Sequence, residues 1–426
     1  MTLKKKICNI LLIPFGVMAV GYIMLVITCL VPGKWIKNEV RESADILSSQ
    51  GTYPSGYLDG WFLDNFTDAD CISIVYNMST QNPFYNAINA FQLSDEEDTS
   101  PGSIRALRAS IDGNGKKVGD HSYLWHGFRI WLKPLMIKYN ISEIRMILYF
   151  VTIFLVALVC VTLSNIRHNM LSFVPFLAAF SFFNFQMESL NLLFFNDLFI
   201  TLVAILLISN LCYYKKEKYF EEVFVTIGAI VAFSSMLILP MITLGFPLII
   251  ALVYEKNNAN KLGQLIKCST SWCFGYGITM ITKIFISTYF FGSKKGISSV
   301  LIYSGKGDYA IMDRVNRLRQ VMTCVITHSV IKRDLVILFL FVVVIYIIVR
   351  KRENIRNIKD LWSLIIIANY PCIWCIVCAG HAGHGWTYMN FSISLFALLE
   401  MLWGILDLKI TINKANDIFN DKGSLE

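Results

Sequence analysis

Long apolar runs are the feature that most constrains this chain. Seven of them are long enough to cross a hydrocarbon core of about 30 Å as a helix, and they lie near residues 7–31, 146–164, 170–187, 196–214, 266–291, 360–379 and 387–408. A shorter run covers 335–349, and Pro240 divides 223–254 into two more. With 55% hydrophobic and 16% charged residues, the chain is predicted to be an all-α polytopic membrane protein of about ten transmembrane helices.

The basic residues predict the orientation of these helices. Lys4, Lys5 and Lys6 precede the first run, which is too long for a cleaved signal peptide. Alternate short loops carry further lysines and arginines, whereas the short loops on the opposite side, near 186–195 and 380–386, contain none. The positive-inside rule therefore predicts that both termini are cytoplasmic. It also explains the net charge of +8 without a nucleic-acid partner.

The predicted topology divides the chain into six parts. These are a first transmembrane helix (1–31), an extracytoplasmic segment with an acidic motif and an interfacial helix (32–143), transmembrane helices two to seven (144–291), a basic extracytoplasmic segment (292–334), transmembrane helices eight to ten (335–408) and a cytoplasmic tail (409–426). Residues capable of chemistry concentrate in the two extracytoplasmic segments. We therefore expect the active face to be the outer one.

The first extracytoplasmic segment contains the acidic motif LDNFTDAD, which includes Asp64 and Asp68. If this stretch is helical, the two carboxylates project from one face at i and i+4. They could then hold a divalent cation, or one of them could act as a general base. The alternative is a solvated acidic loop in which Asp68 caps a helix that starts at Ala69.

Residues 120–140 predict an amphipathic helix in the outer headgroup region, because apolar residues recur at helical spacing from Leu124 to Leu135 while Arg129 lies off that stripe. His126 and Arg129 are one turn apart and could meet a lipid phosphate. The alternative is that Arg129 only snorkels to the headgroups.

Further basic residues are candidates for binding a phosphate. Arg314 and Arg317, in the second extracytoplasmic segment, suit a phosphate or pyrophosphate clamp if they follow one helix face. Lys283 lies about 12 Å below the outer end of the seventh predicted span, at 1.5 Å per residue. An ammonium at that depth needs a partner or a water-filled cavity.

The stretch CIWCIVCAGHAGHGW places cysteine or histidine at every third position from Cys372 to His384. Steps of three residues sweep about 240° around a helix axis over this range, so the five side chains cannot face one metal. The cysteines are then packing residues, and His381 and His384 remain as polar candidates in an outer turn. A disulfide between Cys71 and Cys324, in the two long segments, also stays open.

The arrangement of one helix, a long acidic external segment and a many-span bundle resembles the C-type (GT-C) bacterial membrane glycosyltransferases over nearly the whole chain. The resemblance implies a GT-C-like fold, a polyprenyl phosphate or pyrophosphate sugar donor, and a glycan or lipid acceptor at the outer face of the plasma membrane. It makes Asp64 the best match for the catalytic aspartate and Asp68 the second, either as base or as ligands of a divalent cation such as Mg²⁺ or Mn²⁺. The donor phosphate would be bound by residues among His126, Arg129, Lys283, Arg314, Arg317, His381 and His384.

Two other classes of function remain in competition. A surface-polysaccharide polymerase or ligase would use the same donor with a long glycan acceptor. A transporter or flippase of lipid-linked sugars would show related halves and broken helices with polar residues near the midplane, and this sequence offers only Lys283 and the break at Pro240. The long first external segment favours an enzyme.

Overall fold

The computed structural model of this protein describes residues 3–55, 61–94, 104–113, 116–235, 239–254, 260–292, 296–298, 311–328, 358–384 and 386–406. These residues are predominantly helical, with one short antiparallel pair of strands, β1 (Phe91–Ser94) and β2 (Lys116–Asp120). Within these described residues, three helices are long and apolar enough to cross a membrane: α1 (Leu3–Cys29), α7 (Ile141–Arg167) and α10 (Leu192–Tyr213). The prediction of a helical membrane protein is confirmed at this level.

Five further helices lie between α1 and α7 along the chain. They are α2 (Gly33–Gln50), α3 (Asn65–Tyr76), α4 (Pro83–Ile88), α5 (Ile104–Asp112) and α6 (Arg129–Leu135). In α2 the buried residues Ile36, Val40, Ala44 and Leu47 recur every three to four positions, so one face packs inward against α3, α5 and α7. The segment between α1 and α7 is therefore a folded layer attached to the membrane helices.

The remaining helices follow α7 along the chain. They are α8 (Val174–Phe182), α9 (Phe185–Glu188), then α10, α11 (Phe220–Ser234), α12 (Pro240–Tyr254), α13 (Lys261–Phe291), α14 (Ile311–His328), α15 (Ile358–Ala368), α16 (Tyr370–Val377) and α17 (Ser392–Leu406). The predicted break at Pro240 is confirmed, because α11 ends at Ser234 and Pro240 opens α12, where its missing N–H is not needed. The predicted span at 335–349 lies outside the described residues.

Two of the predicted spans are wrong as continuous helices. The run 170–187 is divided at Asn184, whose φ of 57° lies in the left-handed region and interrupts the helix between α8 and α9. The run 360–379 is divided at Asn369, and Pro371 lies in the first turn of the second piece, α16. Both interruptions lie in highly apolar sequence, where hydropathy alone gives no sign of them.

Close packing of α11 on α13 depends on two glycines. A Cβ atom at Gly228 would lie 2.2 Å from the carbonyl oxygen of Trp272, and one at Gly275 would lie 2.1 Å from that of Val225. Both distances are far below van der Waals contact, and the atoms met are backbone. Glycine at these two positions therefore allows the two helix backbones to approach each other.

Ion pairs tie together helix ends that the charge pattern places on the cytoplasmic side. Lys6 Nζ lies 2.8 Å from Glu221 Oε1 and connects α1 to α11, while Arg167 Nη2 lies 2.9 Å from Glu400 Oε2 and connects α7 to α17. The carboxylate of Glu400 is fully buried, so the Arg167 pair lies partly within the protein interior. The charge pattern predicts that both pairs lie on the same side of the membrane.

Candidate functional site

Asp64 stands at the start of α3, where it is the N-cap. Its Oδ1 accepts a hydrogen bond from the Thr67 backbone N–H at 3.0 Å and its Oδ2 accepts one from the Thr67 hydroxyl at 2.5 Å. The expectation that Asp68 caps a helix starting at Ala69 is wrong, because α3 begins four residues earlier and Asp68 lies in its first turn. The Asp64 backbone N–H donates to Asn191 Oδ1 at 2.8 Å, which attaches this end of α3 to the start of α10.

Asp68 is held by two partners from the membrane helices. Its Oδ2 accepts from Arg145 Nη2 at 2.5 Å and its Oδ1 accepts from the Leu192 backbone N–H at 3.0 Å. Burial raises the pKa of Asp68 to about 6 although the Arg145 guanidinium opposes that shift. Arg145 was missed in the sequence; its signal is an arginine immediately before an apolar run, on the side where the short loops carry no basic residue.

Two more carboxyl groups lie within electrostatic reach of Asp64. Burial, reinforced by the charge of Asp64, raises the pKa of Asp70 to about 7. Burial also raises the pKa of Glu188 to about 8, with a smaller contribution from Asp64, and Glu188 Oε2 accepts from Asn191 Nδ2 at 3.0 Å. Asp70 Oδ1 has no hydrogen-bond partner among the described residues. The site is therefore a group of buried carboxyls that do not all ionise together at neutral pH.

The divalent cation expected at Asp64 and Asp68 stays a prediction. Asp68 is committed to Arg145 and Leu192, whereas each Asp64 oxygen accepts one bond from Thr67 and keeps a further lone pair. The part of the chain that the structure describes contains no group of three or more His, Cys, Asp or Glu side chains suited to a metal ion. No step of the chemistry is therefore assigned to a metal.

The turn after α16 carries His381 and His384 toward the Asp64 end of α3. The rings of the two histidines are 5.0 Å apart, and the His384 ring stacks on Trp386 at 4.7 Å. Partial burial lowers the pKa of His384, while the charge of Asp64 acts in the opposite direction. Trp386 in turn meets Phe194 of α10 edge-on at 6.3 Å. The turn and the start of α10 are thus in contact beside the acidic group.

The basic helix α14 packs against the same turn. It contacts α16 and both short helical turns at 381–383 and 387–391, and Arg314 Nη1 donates to the Ile376 carbonyl oxygen at 2.7 Å. Arg317 Nη1 donates to Gln320 Oε1 on α14 itself, at 3.2 Å. The structure therefore brings three stretches that were distant in sequence, the acidic motif, the histidine turn and the basic helix, into one neighbourhood.

His126, Arg129 and Lys283 form a different cluster. The expectation of an interfacial helix with Arg129 at the headgroups is wrong, because Arg129 is 1% exposed. All five guanidinium N–H groups donate to backbone carbonyl oxygens, those of Asn86, Ala87, Asn89, Trp125 and His126. Burial lowers the pKa of Arg129 to about 10. No N–H group of this side chain remains for a phosphate in this arrangement.

Lys283 completes the same cluster from α13. Its Nζ donates to the Ile88 carbonyl oxygen at 2.5 Å and lies 5.2 Å from the centre of the Trp125 ring. The prediction that this buried ammonium needs a partner is confirmed. Arg129 and Lys283 together bind the last carbonyl groups of α4 and the residue after it, where cations stabilise a helix end. His126 is fully buried, with Nε2 2.9 Å from the His121 carbonyl oxygen.

No two cysteines of the described residues form a disulfide. A disulfide between Cys71 and Cys324 is therefore absent, and Cys71 is fully buried in α3. Cys375 is also fully buried, consistent with packing.

Comparisons with known protein families, with curated proteins and with solved structures find no match to this chain. Its function therefore has to be inferred from the chemistry of its own residues. What the described residues offer is a carboxylate at a helix N-terminus, two neighbouring imidazoles and an adjacent basic helix, on the side of the bundle opposite the Lys6 and Arg167 ion pairs.

Proposed function

We propose that this protein is a membrane glycosyltransferase that moves a sugar from a polyprenyl phosphate or pyrophosphate to a cell-envelope glycan or lipid acceptor at the outer face of the plasma membrane. One observation carries the proposal: a buried carboxylate, Asp64, lies beside a histidine turn that is itself packed against a basic helix. That combination supplies a base for a hydroxyl and cations for a departing phosphate.

Asp64 is the best candidate for the base. Asp68 is engaged by Arg145 and Leu192, so its oxygens hold α3 in position instead of meeting substrate. Asp64 receives its bonds from one neighbouring residue, Thr67, and each of its oxygens keeps a further lone pair. Burial raises the pKa of Asp64, which makes it a stronger base than an ordinary aspartate once it is ionised. His384, whose pKa is lowered, is neutral at pH 7 and can exchange a proton with it.

The reaction is a single displacement. Asp64 takes the proton of an acceptor hydroxyl while that oxygen forms a bond to the anomeric carbon of the sugar. The bond between the anomeric carbon and the phosphate oxygen breaks, and the electron pair leaves with the polyprenyl phosphate. Because one carboxylate acts without a covalent intermediate, the configuration at the anomeric carbon inverts.

The departing phosphate carries the charge that develops in the transition state. In the proposal this charge is stabilised by side chains of the basic helix and the adjoining turn, namely Arg314, Arg317, His381 and His384. Arg129 and Lys283 are not given this role, because their N–H groups donate to backbone carbonyls in and beside α4. His126 is not given it either, because it is fully buried with its Nε2 beside the His121 carbonyl oxygen. The protein supplies positioning and electrostatic stabilisation for the leaving group.

The proposal includes the GT-C-like fold, about ten spans and cytoplasmic termini. Support for that orientation comes from Lys6 and Arg167, whose ion pairs join helix ends on the side where the sequence concentrates its short basic loops. With the termini on that side, the folded layer between α1 and α7 faces outward. A lipid-linked donor would then reach the site from the outer leaflet.

A transporter of lipid-linked sugars is the second candidate, and the broken helices favour it. Asp197 in α10 faces the break between α11 and α12, where its Oδ2 accepts from the Leu239 N–H at 2.8 Å and from the Ser235 hydroxyl at 3.2 Å. Discontinuous helices around a buried charge are typical of transporters. A polymerase or ligase would share the chemistry proposed above and differ only in its acceptor.

The test is Asp64→Asn in proteoliposomes that contain radiolabelled polyprenyl-phosphate sugars and membrane lipid acceptors. Asparagine is as good an N-cap as aspartate, so α3 should be retained while the base is lost. Asp112→Asn, at an exposed position at the end of α5, is the matched control. We expect product with the wild type and control and none with Asp64→Asn. Undiminished product in Asp64→Asn removes Asp64 from the mechanism, and movement of labelled donor without a new glycosidic bond identifies a transporter.

A further inference from the structure

One aromatic group lies on the external side of Asp64. Phe62 and Phe66 are two residues before and after it, and the ring of Tyr53 meets both, edge-on to Phe62 at 5.7 Å and stacked on Phe66 at 6.3 Å. Tyr53 is 53% exposed, and the two phenylalanines are half-buried. We call Tyr53, Phe62 and Phe66 the loop aromatic group. It presents ring surface to solvent beside a carboxyl that is almost completely buried.

A second aromatic group lies at the histidine turn. The His384 and Trp386 rings are nearly parallel, with an angle of 13° between their planes, and His381 meets His384 at 5.0 Å. His384 is exposed and Trp386 is half-buried. We call His384 and Trp386 the turn aromatic group. Trp386 rests on Phe194 of α10, so this group has a rigid support.

Both groups adjoin the same carboxylate. The loop aromatic group is adjacent to Asp64 in sequence. The turn aromatic group is connected to Asp64 through α10: Trp386 contacts Phe194, and Asn191, three residues earlier, accepts a hydrogen bond from the Asp64 N–H. The charge of Asp64 also acts on both groups: it raises the pKa of Tyr53 together with burial, and it opposes the lowered pKa of His384. Asp64 is therefore close enough to both groups to act on them electrostatically.

A pyranose ring has apolar C–H faces and a rim of hydroxyl groups. Contact between these faces and aromatic rings is favourable because it removes apolar surface from water. The hydroxyl groups need carboxylate, amide or imidazole groups as hydrogen-bond partners. The loop and turn groups offer ring surface, and Asp64, Tyr53 and His384 offer polar atoms at the same place. A lipid tail would use the rings but none of these polar atoms.

We propose that the loop aromatic group and the turn aromatic group form a binding subsite for a sugar ring, held next to Asp64. The role of the subsite in catalysis rests on the proposed glycosyl transfer. Sugar binding itself does not, because it can be measured without turnover. It gives the site a substrate class, a pyranose, that the acidic and basic residues alone do not specify. The competing explanation is an aromatic belt at the membrane surface, which would bind lipid headgroups without sugar selectivity.

The test is saturation-transfer-difference NMR on the full chain in nanodiscs, with methyl pyranosides of glucose, galactose, mannose and N-acetylglucosamine as probes. We expect binding of at least one probe and a five- to tenfold weaker affinity, about the contribution of one aromatic contact, in Tyr53→Ala and in Trp386→Ala. Tyr53→Phe and Trp386→Phe keep a ring and should keep binding. Tyr85→Ala removes an exposed tyrosine that packs edge-on against Phe291, outside the subsite, and is the matched control.

Failure of this inference and failure of the proposed function are distinguishable. Absence of probe binding to the wild type, or equal binding by Tyr53→Ala, Trp386→Ala and the wild type, overturns the subsite. Sugar binding that depends on Tyr53 and Trp386 and persists in Asp64→Asn supports the subsite even where no product forms in any variant. If Trp386→Ala fails to fold, Tyr53→Ala decides, since its exposed side chain can be removed with little effect on folding.

Discussion

Arg145 Nη2 lies 2.5 Å from Asp68 Oδ2, and both side chains are almost completely buried. Arg145 belongs to the first turns of α7, and Asp68 to the first turn of α3. The same guanidinium group donates to Asn65 Oδ1 at 2.7 Å and to Gln50 Oε1 at 3.3 Å. One membrane helix thereby holds the N-terminal end of α3, and with it Asp64, in position.

Arg145→Met should strongly destabilise the protein. Removing one partner of a buried pair leaves the other as an unpaired buried charge, at a cost of about 3–5 kcal/mol. The double variant Arg145→Met with Asp68→Leu should be less destabilised than the sum of its single changes, because it leaves no unpaired charge. Thermal unfolding in detergent, followed by tryptophan fluorescence, measures the stability of the wild type, the two single variants and the double variant, which together form a double-mutant cycle. Additive effects would show that the pair contributes no coupling.

Asp70→Asn should stabilise the protein more at high pH than at low pH. The pKa of Asp70 is about 7 in the folded protein, above its usual value of 3.8. Between these pH values the folded state binds more protons than the unfolded state, so stability falls as pH rises and the loss is complete above pH 7. Asparagine removes this loss, which is at most about 4 kcal/mol at 1.4 kcal/mol per pKa unit. The melting temperatures of variant and wild type should differ at pH 8 and converge near pH 4; a constant difference would contradict the assignment.

Arg129→Met should loosen the segment from Asn86 to Asn89. The carbonyl groups of Asn86, Ala87 and Asn89 would lose their Arg129 donors in a buried environment, at a cost of about 1–3 kcal/mol for each group left unsatisfied. Lys138→Met, at an exposed position just after α6, is the control. Limited proteolysis and amide hydrogen exchange of residues 86–89 should change for Arg129→Met alone. Unchanged protection of α4 in that variant would rule out the capping role.

Gly275→Ala should destabilise the packing of α11 on α13. The added Cβ would lie 2.1 Å from the Val225 carbonyl oxygen, so the helices must move apart. Gly277→Ala, on the same helix, is the matched control because nothing lies within 4 Å of its Cβ. That variant should gain up to about 1 kcal/mol from helix propensity. The two melting temperatures should move in opposite directions, and a common direction would contradict the packing argument.

Much of the helix pattern could be predicted because it follows from hydropathy and proline. The break at Pro240 is an example, since proline lacks a donor and is favoured at the first position of a helix. The interruption at Asn184 could not be predicted, because nothing in an apolar run indicates which residue will adopt a positive φ. The short strands β1 and β2 were also missed, in a segment with little apolar alternation.

The candidate site was predicted in part. Asp64, His381 and His384 were identified by residue type and position, and the structure brings the first near the other two. Arg129 was misinterpreted because its position off an apolar stripe suggested exposure, whereas backbone carbonyls distant in sequence satisfy its charge. Contacts of that kind depend on tertiary packing, which periodicity does not report.

The bond from Lys283 Nζ to the Ile88 carbonyl oxygen spans 195 residues of chain. Phe233 makes two further long-range contacts: its ring lies 5.0 Å from that of Trp125, and its carbonyl oxygen accepts from the Gly127 N–H. The residues in each of these contacts are separated by more than half as much chain as Ile88 and Lys283. During synthesis at roughly 5–20 residues per second, the segment that carries Ile88 must wait on the order of 10–40 s before its lysine partner exists. The layer between α1 and α7 therefore completes its assembly only after the ribosome has produced α13, and until then the Ile88 carbonyl oxygen depends on water as its partner.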